Sequence, residues 1–192
     1  SNLQSLVLSG NRLTRIDVNT FRNLASLSHL LLDSNRLQRS ISSKLFINIK
    51  TYLKVLDLSH NKLEDINSAL ETLSGGTLQS LSVSHNLISN LEGIKLPFLW
   101  RLQASNNNMS NLTFSSFKDL PALQVLDLSK NKIAHLPSGM FQINKKLQAV
   151  RLDGNELEQM AGLFQDLPHL SWLNISDNLI SMFDYAMLPK SL

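Results

Sequence analysis

Apolar residues recur along the chain in a fixed frame of eleven positions. In the copy from Leu123 to Ile133, apolar residues occupy positions 1, 4, 6 and 11, and an asparagine occupies position 9. The frame occurs in seven other places, which begin at Leu3, Leu27, Leu53, Leu78, Leu99, Leu147 and Leu170. Because positions 4 and 6 alternate with polar neighbours, each copy predicts a short strand with one buried face.

One such strand cannot bury its leucines alone, so the copies must stack. Stacked about 4.8 Å apart, they form a parallel sheet over a continuous core. The position-9 asparagines recur every 21 to 26 residues, a period typical of leucine-rich repeats. We therefore predict an α/β fold. It is a curved, horseshoe-shaped leucine-rich-repeat solenoid, with a parallel sheet on the concave face and irregular or 3₁₀ loops on the convex face.

Eight strands are predicted to pair in this one sheet. They lie near residues 5–8, 30–32, 55–58, 80–83, 101–103, 125–128, 149–152 and 172–175. Five phenylalanines in the connecting loops are predicted to stack as a spine beneath the convex side. These are Phe21, Phe46, Phe117, Phe141 and Phe164.

The asparagine at position 9 follows each strand at the turn. Its amide offers two donor hydrogens and an acceptor oxygen, so it can satisfy backbone groups of its own coil and of adjacent coils. We predict a structural ladder formed by Asn11, Asn35, Asn61, Asn86, Asn107, Asn131, Asn155 and Asn178.

The repeats run from one end of the sequence to the other. We expect residues 1–192 to form a single array of eight repeats, because the apolar content of 43% suffices for a core. Solenoids need capping repeats, and Leu192 resembles the first position of a ninth copy. We therefore expect an internal fragment without caps. The absence of cysteine is then uninformative about the compartment, because cysteines could lie in the caps.

The frame LxxLxLxxNxLxxL followed by xxxFxxL resembles the 24-residue class of leucine-rich repeats, best seen in residues 12–27 and 132–147. That class is typical of extracellular proteins. Residues 173–192 resemble a repeat in the ectodomains of insect Toll receptors of the long type, which includes Tollo and 18-wheeler. There a Phe-Asp-Tyr-Ala loop, here residues 183–186, and a proline precede the next strand.

This resemblance implies a single-pass receptor whose membrane segment and signalling domain lie outside the chain. The implied ligand is a cystine-knot cytokine of the Spätzle type or another cell-surface receptor, and the implied location is the extracellular face of the plasma membrane. A homodimer is a further expectation. A cell-adhesion or matrix protein with homophilic or heterophilic contacts, and an intracellular scaffold, remain open alternatives.

Three Asn-x-Ser/Thr sequons are candidate glycosylation sites, at Asn108, Asn111 and Asn174. Asn108 and Asn111 fall at positions 10 and 13, just past a strand. A glycan there would deny that flank to a partner.

Positions 2, 3, 5, 7 and 8 of each frame are predicted to point to solvent and to form the ligand surface. Large rings there can anchor an interface. The candidate ligand-binding residues are Asp57, Trp100, Arg101, Asp127, Arg151 and Trp172. Their charges are mixed and the net charge is only +3, so we expect no nucleic-acid partner.

A second cluster is cationic. Positions 10 and 13 of successive coils stack on one flank, so the cations there should converge and attract an acidic partner or a sulfated sugar. This basic flank comprises Arg12, Arg15, Arg36, Arg39 and Lys62.

Two histidines, His60 and His85, share position 8 in adjacent coils and should lie close together, although a third metal ligand cannot be placed beside them. No catalytic constellation is present, since the chain has no HExxH, no GxSxG, no phosphate-binding glycine loop and no cysteine. We expect no enzyme activity, no cofactor and no metal.

Overall fold

The computed structural model describes all 192 residues. Its strands, in chain order, are β1 (Ser5–Val7), β2 (His29–Leu31), β3 (Gln38–Ser40), β4 (Val55–Asp57), β5 (Lys62–Asp65), β6 (Ser80–Ser82), β7 (Arg101–Gln103), β8 (Val125–Asp127), β9 (Ala149–Arg151) and β10 (Trp172–Asn174). The one α-helix, α1, spans Asn67–Leu73, and 3₁₀ turns span Phe114–Ser116 and Tyr185–Met187. No helix combines the length and hydropathy of a membrane span.

Eight strands form one parallel sheet in the order β1-β2-β4-β6-β7-β8-β9-β10. Every pair is in the same frame register, so that Leu56 lies between Leu30 and Leu81. Each strand begins and ends within one residue of its predicted range. The prediction of a leucine-rich-repeat solenoid with one continuous parallel sheet is confirmed.

The core follows from the alternation within each strand. Side chains at positions 4 and 6 point inward and join 47 buried residues in one hydrophobic cluster. In the first and last coils the equivalent residues are only partly buried, because each of these coils has a neighbour on one side only. The opposite surface of the sheet is formed by positions 3 and 5 and is the face predicted to be concave. We call it the outer face of the sheet, because it points away from the core.

The predicted phenylalanine spine is a continuous ring stack over three coils. Phe141 stacks between Phe117 and Phe164, with ring centroids 5.9 and 6.0 Å apart. Phe21 and Phe46 are also fully buried. Beside the stack, the buried Asn144 donates from Nδ2 to the carbonyl oxygens of Phe117 and Leu120, a link between coils that the frame does not predict.

Two local features were missed by the sequence analysis. The first is a second sheet, in which β3 and β5 pair in parallel just beyond the strands of the second and third coils. The second is a left-handed backbone at position 8 of every coil, with φ between 52° and 69°. Six of these eight residues are not glycine. Asn106 and Asp177 tolerate the conformation, whereas each of the other four costs roughly 1–2 kcal/mol.

Candidate ligand-binding surface

The position-9 asparagines join neighbouring coils. Asn131 donates from Nδ2 to the carbonyl oxygens of Leu128 (3.0 Å) and Ser129 (3.2 Å) in its own coil, and of Ala104 (3.1 Å) in the preceding coil. Its Oδ1 accepts the Met109 N–H at 3.1 Å. Asn11, in the first coil, bonds only within its own coil, to Leu8 and Ser9.

The other six ladder residues make the same links between coils. Each donates to a carbonyl of the preceding coil and accepts a backbone N–H from it; they are Asn35, Asn61, Asn86, Asn107, Asn155 and Asn178. Five of them are buried, and Asn178 is half-buried. These amides are therefore structural and are not available to a ligand.

The aspartates of the outer face cap the turn that follows their strands. Asp57 Oδ1 accepts from the N–H of Ser59 at 2.9 Å and from its hydroxyl at 2.6 Å. Asp127 makes the same bonds with Ser129, at 3.0 and 2.6 Å. The spacing of two residues is that of an Asx turn, a sequence signal that could have assigned this structural role.

The prediction that Asp127 points freely to solvent is wrong, because its accessible fraction is only 7%. Its second oxygen lies 3.3 Å from Nη1 of Arg151, whose Nε lies 3.2 Å from Asp153 Oδ1. The hydrogen bond to Asp153 and the charges of both carboxylates raise the pKa of Arg151, against partial desolvation. The predicted contact Arg151 is thus already paired within the fold.

Position 7 also differs from its predicted exposure. Ser59, Ser84, Ser105, Ser129 and Asp153 are buried, because the chain turns inward here and their polar atoms join the turn. Apart from the buried Asp127 at position 5, the solvent-facing positions of the inner coils are therefore 2, 3, 5 and 8, and not 7.

Two tryptophans remain exposed. Trp172 lies in β10 on the outer face and is 47% exposed, while Trp100 is 37% exposed and lies one residue before β7, at the N-terminal edge of the sheet. Arg101 is half-buried at position 3 of β7, with no carboxylate within ion-pair distance. Among the predicted ligand-binding residues, these three have side chains that no other protein group pairs with.

The two histidines stack on each other where the chain leaves the sheet. The rings of His60 and His85 are 4.0 Å apart and inclined by 13°. Partial desolvation lowers the pKa of His85, and the charges of His60 and Lys130 lower it further. The structure brings no group of three potential metal ligands together.

We expect the imidazole of His85 to titrate below the ordinary histidine pKa, and His60→Ala to raise this midpoint. The variant removes both the ring that desolvates His85 and a neighbouring charge. Because the folded-state pKa is lowered, the stabilising contribution is complete above the ordinary pKa of about 6.5 and is lost as the pH falls towards the folded value. NMR titration of the imidazole protons measures the midpoint. His135→Ala is the control, and an equal shift there would contradict the assignment to His60.

The sequons lie at different places on the fold. Asn108 and Asn111 are exposed beyond β7, and Asn111 forms a backbone bridge with His135. Asn174 is half-buried in β10, and its Oδ1 accepts the N–H of Ser176 at 3.1 Å. Its amide is thus partly used by the turn, whereas the amides of Asn108 and Asn111 face solvent.

Comparison with known protein families supports the repeat assignment. A family model described as leucine rich repeat matches residues 1–51 and 97–157, and a second leucine rich repeat model matches residues 50–66. The chain belongs to the leucine-rich-repeat family. Its relatives lumican and Toll-like receptor are not enzymes.

Lumican and a Toll-like receptor are among the curated relatives of this chain. Human lumican is 34% identical over 182 residues, covering 92% of this chain and 51% of lumican. Toll-like receptor 3 of Boselaphus tragocamelus is 30% identical over 188 residues, covering 93% of this chain and 19% of the receptor. The chain therefore spans about half the length of human lumican. These matches support the repeat family and do not extend to the insect Toll type.

A solved structure of the TLR13–ssRNA13 complex is similar over 95% of this chain and 24% of that one. The identity is 30% and the TM-score 0.75. Similarity of this kind agrees with the stacked parallel strands described above.

Proposed function

We propose that this chain is a protein-binding leucine-rich-repeat segment of an extracellular or cell-surface protein. Its ligand contacts the outer face and the N-terminal edge of the eight-stranded sheet. The exposure of Trp100 and Trp172 carries this proposal. Tryptophans are enriched among the residues that dominate binding energy in protein interfaces, and neither ring contributes to the buried core.

The shape of the sheet favours a large partner. The two tryptophans are three coils apart, about 14 Å at the usual strand spacing, which exceeds the reach of one small ligand. None of the cavities in the structure is lined by residues at positions 3 or 5. An open surface without a cavity and with separated aromatic anchors suits a protein partner better than a small molecule.

The finer proposal is the ectodomain of a Toll-type receptor that recognises a cytokine-like, Spätzle-type protein and signals in immunity or development. The similarity to a Toll-like receptor over 93% of the chain supports it, as does the resemblance of residues 173–192. Glycans on the exposed Asn108 and Asn111 would fit an extracellular location and leave the outer face free.

A matrix or adhesion protein is the second candidate. The similarity to lumican over 92% of the chain favours it. In this case the same face would bind a matrix component or another copy of the protein.

The test measures binding of the immobilised chain to a purified Spätzle-type cytokine and, separately, to the chain itself. We expect Trp172→Ala combined with Trp100→Ala to weaken the interaction by at least tenfold, since residues of this kind contribute about 2 kcal/mol or more. Phe114→Ala is the control, because this ring is equally exposed but lies in a loop 3₁₀ turn.

The outcomes separate the candidates. Binding to the cytokine supports the receptor, and binding to the chain itself supports the adhesion protein. An equal loss with Phe114→Ala would contradict the use of the sheet, and no binding to either probe would contradict both.

A further inference from the structure

Five cations on one flank have no carboxylate partner. Arg12, Arg15, Arg36, Arg39 and Lys62 are all exposed. The ion pairs of the structure both belong to Arg151, on the outer face. These five residues form the basic column, which lies where the chain leaves the strands of the first three coils.

Backbone hydrogen bonds hold the column in register. The N–H of Arg36 donates to the Leu13 carbonyl at 2.9 Å, and the N–H of Lys62 donates to the Leu37 carbonyl at 2.7 Å. Position 10 of each coil is therefore held beside position 11 of the preceding coil, and it carries Arg12, Arg36 and Lys62 in three successive coils. The result is a row of like charges, one from each coil.

The remaining two arginines interleave with this row. Lys62 in β5 pairs with Gln38 in β3. Arg39 is the next residue of β3 and therefore lies close to Lys62. The bond from the Arg36 N–H to the Leu13 carbonyl is the equivalent bond one coil earlier, and it places Arg15 near Arg36 as Arg39 lies near Lys62. Of the nearby acids, Glu64 and Asp65 follow Lys62 in β5, where Asp65 pairs with Ser40. Neither is within ion-pair distance of a cation of the column, and Asp65 Oδ1 already accepts the Asn67 N–H at 2.9 Å.

A small cavity opens beside the column, with a volume of about 200 Å³. Arg15 lines it together with Thr14, Gln38, Ser40 and Ser42, above a floor of five apolar side chains. Pockets for drug-sized ligands are roughly 300–1,000 Å³, so this one has room for a single ring. Its lining of hydroxyl and amide groups matches the donors and acceptors of a sugar.

The backbone at the column is also unusual. Arg39 has a φ of +62°, and the β3–β5 register shifts between Arg39 and Ser40. An arginine in this conformation is unfavourable where glycine or asparagine would be tolerated. Arg39 is the non-glycine residue with a positive φ that lies outside position 8, and strain of this sort concentrates at functional sites.

We propose that the basic column binds a sulfated polysaccharide, with one sugar ring in the cavity and neighbouring sulfates on the cations. Cations that recur in successive coils match a polymer whose anions also recur along its length. The cavity lining has no aromatic ring on which a nucleic-acid base could stack, and a ring-sized cavity favours a sugar over an acidic peptide. This site lies away from the outer face, so it is independent of the protein-binding function proposed above.

The first experiment uses heparin oligosaccharides as the probe and isothermal titration calorimetry as the measurement. We expect the triple variant Arg12→Gln, Arg36→Gln, Lys62→Gln to weaken binding at least tenfold. The slope of log affinity against log salt should fall by roughly three, about one for each cation removed. The matched control is Lys95→Gln, Lys118→Gln, Lys145→Gln, which removes three exposed charges from the loops and should change the affinity less than twofold.

Two further variants address the cavity and the strained residue. Thr14→Phe fills the cavity without removing a charge, and should weaken binding, whereas Ala134→Phe at position 12 of the sixth coil should not. Arg39→Asn should weaken binding while leaving the melting temperature unchanged or higher, because asparagine tolerates the left-handed conformation. A merely structural arginine would instead lose stability together with binding.

Three results would overturn the proposal. The first is no binding of heparin oligosaccharides, and the second is an equal loss in the loop-lysine control. The third is equally tight, column-dependent binding of polyglutamate or of single-stranded RNA, which would assign the column to an acidic protein or a nucleic acid.

Discussion

Alanine in place of Phe141 is expected to lower the free energy of unfolding by about 3–5 kcal/mol, the usual cost of truncating a buried phenylalanine. The ring is 1% exposed and stacks on both sides, against Phe117 and Phe164. Its removal leaves a cavity that three coils share. Adjacent coils cannot close it independently, since the sheet and the asparagine ladder fix their spacing.

Denaturant unfolding followed by circular dichroism measures this change. Phe114→Ala is the matched control, because it removes the same ring from a site that is 50% exposed, and surface changes usually stay within about 0.5 kcal/mol. Similar losses for the two variants would show that the ring stack does not stabilise the array.

The strands and their order could be predicted because each depends on residues within one frame. Alternation at positions 4 and 6 sets which side chains face the core, and a repeating loop length leaves stacked parallel coils as the arrangement that buries them. Every strand of the large sheet follows this rule, including the shortened coil before β7.

The remaining features depend on contacts between coils, which a single frame does not contain. The pairing of β3 with β5 requires contact between the loops of two coils. Arg39, which has a left-handed backbone conformation, lies at the register shift of this pairing. Glycine, the usual marker of this conformation, is absent from position 8 in six coils. The sequence therefore offered little indication of the turn.

In the candidate ligand-binding surface, too, some features are set within one frame and others by contacts between coils. Side-chain direction at positions 3 and 5 follows from the strand, but availability to a ligand depends on the neighbouring strand. Arg151 is paired because Asp127 stands at the same position in the adjacent coil and Asp153 two residues on. Arg101 has no carboxylate that reaches it and stays available.

At the ladder asparagine Asn131, loss of the hydrogen bonds of the amide should lower the free energy of unfolding more than loss of side-chain volume. Asn131→Ala leaves the buried Met109 N–H without its acceptor and removes one of two donors from each of three carbonyls. These carbonyls keep the Asn107 and Asn155 amides and the Asn106 N–H. An unsatisfied buried group costs about 1–3 kcal/mol, so the Met109 N–H and the lost links to the preceding coil should together cost roughly 2 kcal/mol or more in urea unfolding. Asn11→Ala is the control, because that exposed amide bonds only within its own coil and should cost less than about 1 kcal/mol.

Asn131→Asp separates hydrogen bonding from packing. This variant keeps the volume and the acceptor oxygen for the Met109 N–H, but it turns a carboxylate towards the carbonyls of Ala104, Leu128 and Ser129. Loss of the donors and burial of an unpaired charge should make it at least as destabilising as alanine at neutral pH. If Asn131→Asp retained the stability of the unmodified chain, space filling and not donation to the preceding coil would be the role of the ladder.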